Sequence, residues 1–250
     1  MKKIITLLAA LLVGGTLTAS AAKTFDQVFP ADFSQGIPEG WAFFQDATTE
    51  QVDGGIKVTC SQDAPKYRAD LKYNMPTEKA ENHCSLNASD YKVIAIQFIG
   101  KRPESGSLKM SNIAILNGDK SSWIKNAEGY SLKESAWTDI QDINGNHTYY
   151  WTIGGDNWTG EKTLSKIEIV IADITNEADK SYTVAWVNWF KDEDDLKAHL
   201  DLNAVVDQSG NGYESLDAAW AAAADGDVLT VKTDQTASDR LQYGSSRSLT

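Results

Sequence analysis

Short stretches of alternating apolar and polar residues, separated by turn residues, fill the region from Phe25 to Phe190. Segments of this length that are rich in Ile, Val, Tyr and Trp are typical of strands, and Gly-Gly and Asn-Gly pairs between them are typical of turns. The clearest segments lie at positions 56–60, 93–99, 112–116 and 166–171. The pattern predicts a mainly β fold, a β-sandwich of jelly-roll type.

The last strand of this region, Tyr182 to Phe190, is apolar on both faces, which predicts a central strand covered on both sides. Four acidic residues follow at positions 192–195. They predict the start of a short helix, because carboxylates suit the positive end of the helix dipole. Leu196 and Leu200 lie four residues apart and are expected to dock this helix.

A different pattern begins after position 202. Residues 203–212 are predicted to form a linker or turn, because they end in the polar, glycine-bearing stretch DQSGNG. Ser215 can then cap a helix, residues 225–227 end it, and strands are expected at Val228–Val231 and near Leu249. The apolar face of the helix carries Leu216, Ala219, Trp220 and Ala223. We expect the 250 residues to be a fragment of a longer protein, because they end within this pattern.

The N-terminus predicts export from the cytoplasm. Two lysines precede an apolar stretch from Ile4 to Val13 and a group of small residues, which is typical of a signal peptide cleaved after Ala21 or Ala22. The alternative is a membrane anchor, but the apolar stretch is shorter than the roughly 20 residues that a spanning helix needs. We expect removal of residues 1–22 and a periplasmic, cell-surface or extracellular mature protein without a transmembrane segment.

The charge excludes some partners. The formal net charge is −12, and it becomes −14 when the two lysines of the signal peptide are removed. A chain this acidic offers no basic footprint for nucleic acid and is repelled by an anionic membrane surface. Acidity by itself is otherwise the ordinary property of a solvated surface.

The chain has two cysteines, Cys60 and Cys84. Export permits a disulfide between them, and closing that loop would stabilise the fold by about 3 kcal/mol. The alternative is two free, buried thiols. We favour the disulfide.

Aromatic residues alternate with amides and carboxylates between positions 123 and 158. Sugar rings pack on aromatic faces while amides and carboxylates bond their hydroxyl groups, so this composition predicts carbohydrate binding. The candidate binding residues are Trp158, Trp123, Tyr150, Trp137, Asn157 and Asp156.

Trp158 is the leading candidate among them. It lies in the polar, glycine-rich loop at 154–160, where a large ring has little reason to be unless it packs over a neighbour or meets a ligand. Trp123 lies in a similar polar setting. The alternative for each aromatic residue is a place in the core. We assign three tryptophans to packing: Trp41, Trp186 and Trp220.

Alternation within the segment 147–153 separates its aromatic residues. Tyr149 and Trp151 share one face, and Trp151 aligns with Ile153, so we assign that face to the core. Tyr150 then points the other way and is available to a ligand.

Two stretches resemble known families. Residues 167–190, IEIVIADITNEADKSYTVAWVNWF, with the acidic helix after them, resemble the closing strands of galactose-binding-like sandwich domains of secreted, glycan-related proteins of Bacteroidetes-type bacteria. The resemblance runs from about Phe25 to Leu200. It implies that residues 23–202 form a carbohydrate-binding sandwich with a polysaccharide or oligosaccharide as its partner.

The second stretch, YESLDAAWAAAADGDVLTV at residues 213–231, resembles the entrance of pectin-lyase-like parallel β-helix domains. In these domains a helix caps the open end of the coil and a Gly-Asp turn leads to the first strand. The resemblance implies that residues 213–250 are the cap and first coil of a truncated β-helix. The match rests on Ala218, Ala219, Gly226, Asp227, Leu229 and Val231.

No motif in the chain identifies an enzyme. The three histidines are isolated from zinc-ligand spacing, and neither a GxSxG elbow nor a phosphate-cradling glycine loop occurs. A carboxylate pair for glycoside hydrolysis is defined in space, so abundant acidic residues do not place one. Residues 207–218 imitate an EF-hand loop but carry Ala218 where the bidentate Glu belongs. No cofactor is expected, and a structural calcium stays open and unplaced.

These observations favour noncatalytic carbohydrate binding by a secreted protein. One alternative is the N-terminal part of a polysaccharide lyase or glycosidase whose catalytic β-helix is truncated. The other is a surface adhesin or structural protein in which the sandwich is a spacer.

Overall fold

The computed structural model describes residues 22–44, 47–63, 66–100, 107–124, 137–153, 158–174, 180–200, 202–232 and 248–249. The signal-peptide prediction, apart from residue 22, therefore lies outside the described residues. Short 3-10 helices occur at Phe25–Gln27 and Ala80–Asn82, and the two α-helices are α1 (Glu193–His199) and α2 (Leu216–Ala222). The strands are β1 (Ala31–Asp32), β2 (Trp41–Phe44), β3 (Thr48–Val52), β4 (Gly55–Thr59), β5 (Ser61–Asp63), β6 (Lys66–Tyr73), β7 (Cys84–Asn87), β8 (Val93–Phe98), β9 (Ser107–Asn117), β10 (Lys120–Trp123), β11 (Thr138–Gln141), β12 (His147–Thr152), β13 (Glu161–Ile174), β14 (Ser181–Phe190), β15 (Val205–Asp207), β16 (Gly212–Tyr213), β17 (Val228–Val231) and β18 (Ser248–Leu249).

Two antiparallel sheets form the main part of the described chain. The first sheet has the order β11-β12-β8-β14-β4-β3, and β1 adds beside β14. The second has the order β10-β9-β13-β6-β2, with β5 paired to β6 and β7 paired to β13. β14 lies between β8 and β4, so the prediction of a central strand at Tyr182–Phe190 is confirmed.

One hydrophobic core unites residues of both sheets, as expected of a β-sandwich. Ile94 and Ile96 of the first sheet and Leu71, Ile167 and Ile169 of the second are fully buried in it. The intervening residues of β6 and β13 are polar or charged at most positions, which is the alternation of strands with one face in the core. The prediction of a mainly β sandwich is therefore confirmed.

Helix α1 covers part of the outer face of the first sheet. The acidic run lies at the start of the helix, as predicted, and Asp192 also caps it by accepting a hydrogen bond from the backbone N–H of Asp195. Leu196 and Leu200 are buried in a small cluster with residues of β8, β12 and β14. The predicted docking by these two leucines is confirmed.

A third, smaller sheet has the order β16-β15-β17-β18. The segment 203–212 contains β15 and the tight turn of a β15–β16 hairpin, so it is a turn rather than a linker. The segment is held in the small sheet because Val205 is fully buried against residues of α2 and β17. Ser215 caps α2 as predicted. β17 and β18 pair in parallel, with Val228 opposite Ser248.

The predicted disulfide is wrong, because Cys60 and Cys84 are free and buried. Cys84 pairs with Leu164 near one end of β13. Cys60 directly precedes β5, which pairs with the part of β6 that lies beside Ile171, toward the other end of β13. Seven residues along a strand span about 23 Å, and a disulfide needs Cα atoms within about 7 Å. Burial raises the pKa of each thiol to about 12.

In the described ranges, no helix has the length and apolar character that a membrane crossing requires.

Candidate functional site

Trp158, the leading candidate, belongs to the core. Its side chain is 5% exposed, and its ring stacks on Trp189 with centroids 5.5 Å apart and planes 14° apart. Its indole N–H donates a 2.7 Å hydrogen bond to the carbonyl of Tyr91. The ring of Trp158 therefore points into the core, and the prediction that it faces a ligand is wrong. Asn157 and Asp156, the other candidates from this loop, lie outside the described residues.

Tyr150 points away from the main core, as alternation predicts, but it is only 5% exposed. It packs with Phe190, Leu196 and Leu200 beneath α1. Burial and the neighbouring Glu193 carboxylate raise the pKa of Tyr150. Its predicted availability is wrong, because the helix that follows β14 folds back over it.

Trp137 is half-buried and packs against the main core. Its ring meets Tyr149 edge to face, with centroids 6.3 Å apart. Tyr149 and Trp151 are buried in the same core, and so is Trp41, as its assignment to packing predicts. Trp220, which we also assign to packing, is buried in the separate cluster of the third sheet. The core alternative therefore holds for most of the aromatic cluster.

Trp123 is the exception. It is 41% exposed, more than any other large hydrophobic residue that the structure describes. It lies at the end of the edge strand β10, where Trp123 pairs with Ala114 and Ala114 pairs with Lys166. Its ring shares the outer face of the second sheet with Lys166, whose ammonium lies 5.1 Å from the ring centroid. The weaker sequence candidate is thus the exposed one.

A polar cluster adjoins this ring, with Glu78 as its centre. One oxygen of Glu78 lies 3.1 Å from the ammonium of Lys166. The other lies 2.8 Å from Nε2 of His83 and accepts a short hydrogen bond from the hydroxyl of Ser121. Ser121 lies 2.8 Å from the hydroxyl of the buried Ser165. The loop before β7 and the strands β10 and β13 thereby meet at one carboxylate.

The partners of Glu78 determine its charge. Desolvation alone would raise the pKa of Glu78, but hydrogen bonds from Ser121, Lys166 and His83 outweigh it and lower the pKa below its ordinary value of 4.5. The carboxylate is therefore ionised at neutral pH and remains 26% exposed. It can accept hydrogen bonds from a ligand beside Trp123.

The same face carries a second group around Lys72. Its ammonium lies 2.8 Å from Glu168 and 5.0 Å from the centre of the Phe44 ring. Asp70 lies beside it, fully buried, and accepts two hydrogen bonds from the guanidinium of Arg68 at 2.9 and 2.8 Å. The outer face of the second sheet therefore bears two aromatic rings, each with a lysine over it and a carboxylate beside the lysine.

Sequence reasoning found Trp123 and missed the remaining members of this face. Arg68, Asp70 and Lys72 alternate with buried apolar residues on β6, and Lys166 and Glu168 do so on β13. That alternation could have assigned them to one face of a sheet. It could not have shown that β6 and β13 are neighbours, because a long stretch of chain separates them.

The face gives no sign of a metal centre. In the described parts of the chain, no group of three or more His, Cys, Asp or Glu side chains is arranged to hold a metal ion. The rejected EF-hand imitation is a turn: Asp207 accepts backbone hydrogen bonds from Ser209 and Asn211 at 2.8 and 2.9 Å. The side chains of Asn211 and Tyr213 also bond Asp207.

The profile of the family DUF4979, whose description is "Domain of unknown function (DUF4979)", matches residues 27–196. No curated protein matches the chain. Among solved structures the chain is similar to TmCBM27, a carbohydrate-binding module described by its specific mannan recognition. The identity is 16%, the similarity covers 64% of this chain and 94% of that chain, and the TM-score is 0.28. A likeness this distant carries no argument about what this chain binds.

Proposed function

The chain belongs to the DUF4979 family, whose description assigns no function, and we propose that it binds carbohydrate without catalysis through the outer face of its second sheet. The observation that carries the proposal is Trp123, a large ring 41% exposed beside the Glu78 cluster. A sugar can stack its C–H face on the ring while neighbouring groups bond its hydroxyls.

The groups around Trp123 suit hydroxyl recognition. Lys166 supplies a donor and Glu78 an acceptor, and the two are held 3.1 Å apart on different elements of the fold. A sugar hydroxyl both donates and accepts, so it can bridge such a pair. Each partner is already fixed by the other and by the surrounding network, which lowers the entropy lost on binding.

The sequence supports a cellular location and a domain context for this function. The N-terminal charged, apolar and small-residue order supports export, and with it a glycan outside the cytoplasm. The resemblance of residues 167–190 supports a galactose-binding-like sandwich of Bacteroidetes type. Parallel pairing of β17 with β18 supports a C-terminal unit that begins a parallel β-helix, because successive coils of that fold pair in parallel.

Affinity gel electrophoresis of residues 23–250 against a panel of soluble polysaccharides tests the proposal. We expect retardation by at least one polysaccharide, and a loss of about fivefold or more in affinity in Trp123→Ala, because stacking of a ligand ring on an aromatic side chain contributes about 1–3 kcal/mol. Ile37→Ala is the matched control, since among the described residues it removes the other exposed large hydrophobic side chain, 39% exposed, from a loop outside this face.

Two results would overturn the proposal. One is migration unchanged by every polysaccharide in the panel. The other is equal retardation of the wild type and Trp123→Ala. By contrast, we expect retardation to persist when EDTA removes divalent cations, because the proposed contacts use side chains alone.

A further inference from the structure

Two aromatic rings, each with a lysine ammonium near it, form a repeated arrangement on one sheet face. Lys166 lies 5.1 Å from the Trp123 ring centre and 3.1 Å from Glu78. Lys72 lies 5.0 Å from the Phe44 ring centre and 2.8 Å from Glu168. Each unit thus offers an aromatic surface, a donor and an acceptor. The units share no residue, so each can hold its own part of a ligand.

The spacing of the units follows from the register. Trp123 on edge strand β10 is level with Lys166 of β13, because both pair with Ala114. Phe44 on β2, at the other side of the sheet, is level with Val170 of β13, because both pair with Asp70. Four strand intervals of about 4.8 Å and four residues of about 3.3 Å give a diagonal of about 23 Å between the backbone positions. A monosaccharide cannot contact both rings, whereas an extended oligosaccharide can.

The charged groups around the two rings are paired with one another. Three cationic groups face three carboxylates, and every cation has a carboxylate within hydrogen-bonding or ion-pair distance. The pairs are Arg68 with Asp70, Lys72 with Glu168, and Lys166 with Glu78. An anionic sugar would have to compete with a carboxylate already in place, and the net charge of −12 would repel it as well. Hydroxyl groups meet neither obstacle.

Building on the proposed function, we infer that this face is a track for an extended, neutral polysaccharide chain, with Trp123 and Phe44 as separate stacking subsites at its two ends. The ion pairs between them hold donors and acceptors at fixed positions along the chain. Affinity then grows with the length of the oligosaccharide until both rings are engaged.

Three measurements on residues 23–250 test the inference. The first is retardation by neutral polysaccharides (galactomannan, xylan, laminarin) and by acidic ones (polygalacturonate, alginate) at 50 and 500 mM NaCl. We expect binding of a neutral polymer that changes less than twofold between the two salt concentrations. The second is calorimetry with the matching oligosaccharides, from the monosaccharide to the hexasaccharide, and we expect affinity to rise at least tenfold across the series.

The third measurement separates the subsites by mutation. Phe44→Ala should weaken binding of the hexasaccharide severalfold and leave binding of the disaccharide near that of the wild type, because the disaccharide uses the Trp123 end alone. Ile37→Ala is again the control. The double variant Glu78→Gln, Glu168→Gln removes the nearest carboxylate of Lys166 and of Lys72 and leaves Lys72 only the more distant Asp70 at 3.6 Å. It should gain retardation by polygalacturonate at 50 mM NaCl.

The outcomes distinguish this inference from the proposed function. Wild-type retardation by polygalacturonate or alginate that disappears at 500 mM NaCl overturns the neutral ligand and leaves carbohydrate binding standing. Affinity that is already maximal with the disaccharide, or equal loss of disaccharide and hexasaccharide binding in Phe44→Ala, overturns the two subsites. Absence of binding to every polymer overturns the proposed function itself.

Discussion

Replacing Trp158 by alanine should destabilise the fold strongly and affect binding only through that loss of stability. The ring is 5% exposed, stacks on Trp189 and donates a 2.7 Å hydrogen bond to the carbonyl of Tyr91. Truncation of a buried tryptophan to alanine costs about 3–5 kcal/mol, which includes the cavity that remains. Because the substitution also strands the Tyr91 carbonyl, we expect a loss in the free energy of unfolding of about 4 kcal/mol.

Urea denaturation followed by far-UV circular dichroism measures this difference without relying on tryptophan fluorescence. Trp158→Phe serves as a graded control: it keeps an aromatic ring against Trp189, loses the indole N–H, and should cost about 1–2 kcal/mol. Trp123→Ala should cost less than about 1 kcal/mol, since that residue is 41% exposed at the end of an edge strand. A loss below about 1 kcal/mol for Trp158→Ala, with an unchanged dependence on urea, would refute the assignment of Trp158 to the core.

Other consequences can be measured on the same protein. Cys60 and Cys84 should react with a thiol reagent such as DTNB only after unfolding in urea, because burial raises each pKa to about 12; rapid labelling of the folded protein would contradict this. Asp192→Ala should lower the free energy of unfolding by about 1 kcal/mol through loss of the α1 cap, and a neutral result in urea denaturation would count against the cap. Asp70→Asn should cost about 2 kcal/mol, because it weakens charge-assisted hydrogen bonds to a buried carboxylate, and an unchanged urea midpoint would contradict that role. The pKa of Glu78 is lowered in the fold, so its stabilisation is present above its ordinary pKa of 4.5 and is lost as pH falls through the folded value; a stability difference between wild type and Glu78→Gln that is equal at pH 6 and pH 3 would refute it.

Local rules determined the elements of this fold. The alternation at 56–60 and 166–171, the acidic run before Leu196 and the cap residue Ser215 each carry their own physical cause within a few neighbouring residues. The strands β4 and β13 and the helices α1 and α2 accordingly lie where the pattern predicts.

Those local rules could not predict contacts between segments that are far apart in the sequence. Whether Cys60 and Cys84 can bond depends on their positions along β13, which the pairing of β5 and β7 sets. In the same way, Tyr150 is covered because α1 returns over the first sheet. Sequence spacing contains neither fact.

The aromatic residues between positions 123 and 158 show most clearly what the sequence determines and what the tertiary structure decides. The sequence by itself determined that rings and polar groups are abundant between positions 123 and 158, and therefore which residue types a sugar site could use. Only the tertiary structure decided that Trp158 stacks on Trp189 while Trp123 stays exposed beside Lys166 and Glu78. Burial of a ring depends on what the rest of the chain packs against it, and that is decided by contacts far apart in sequence.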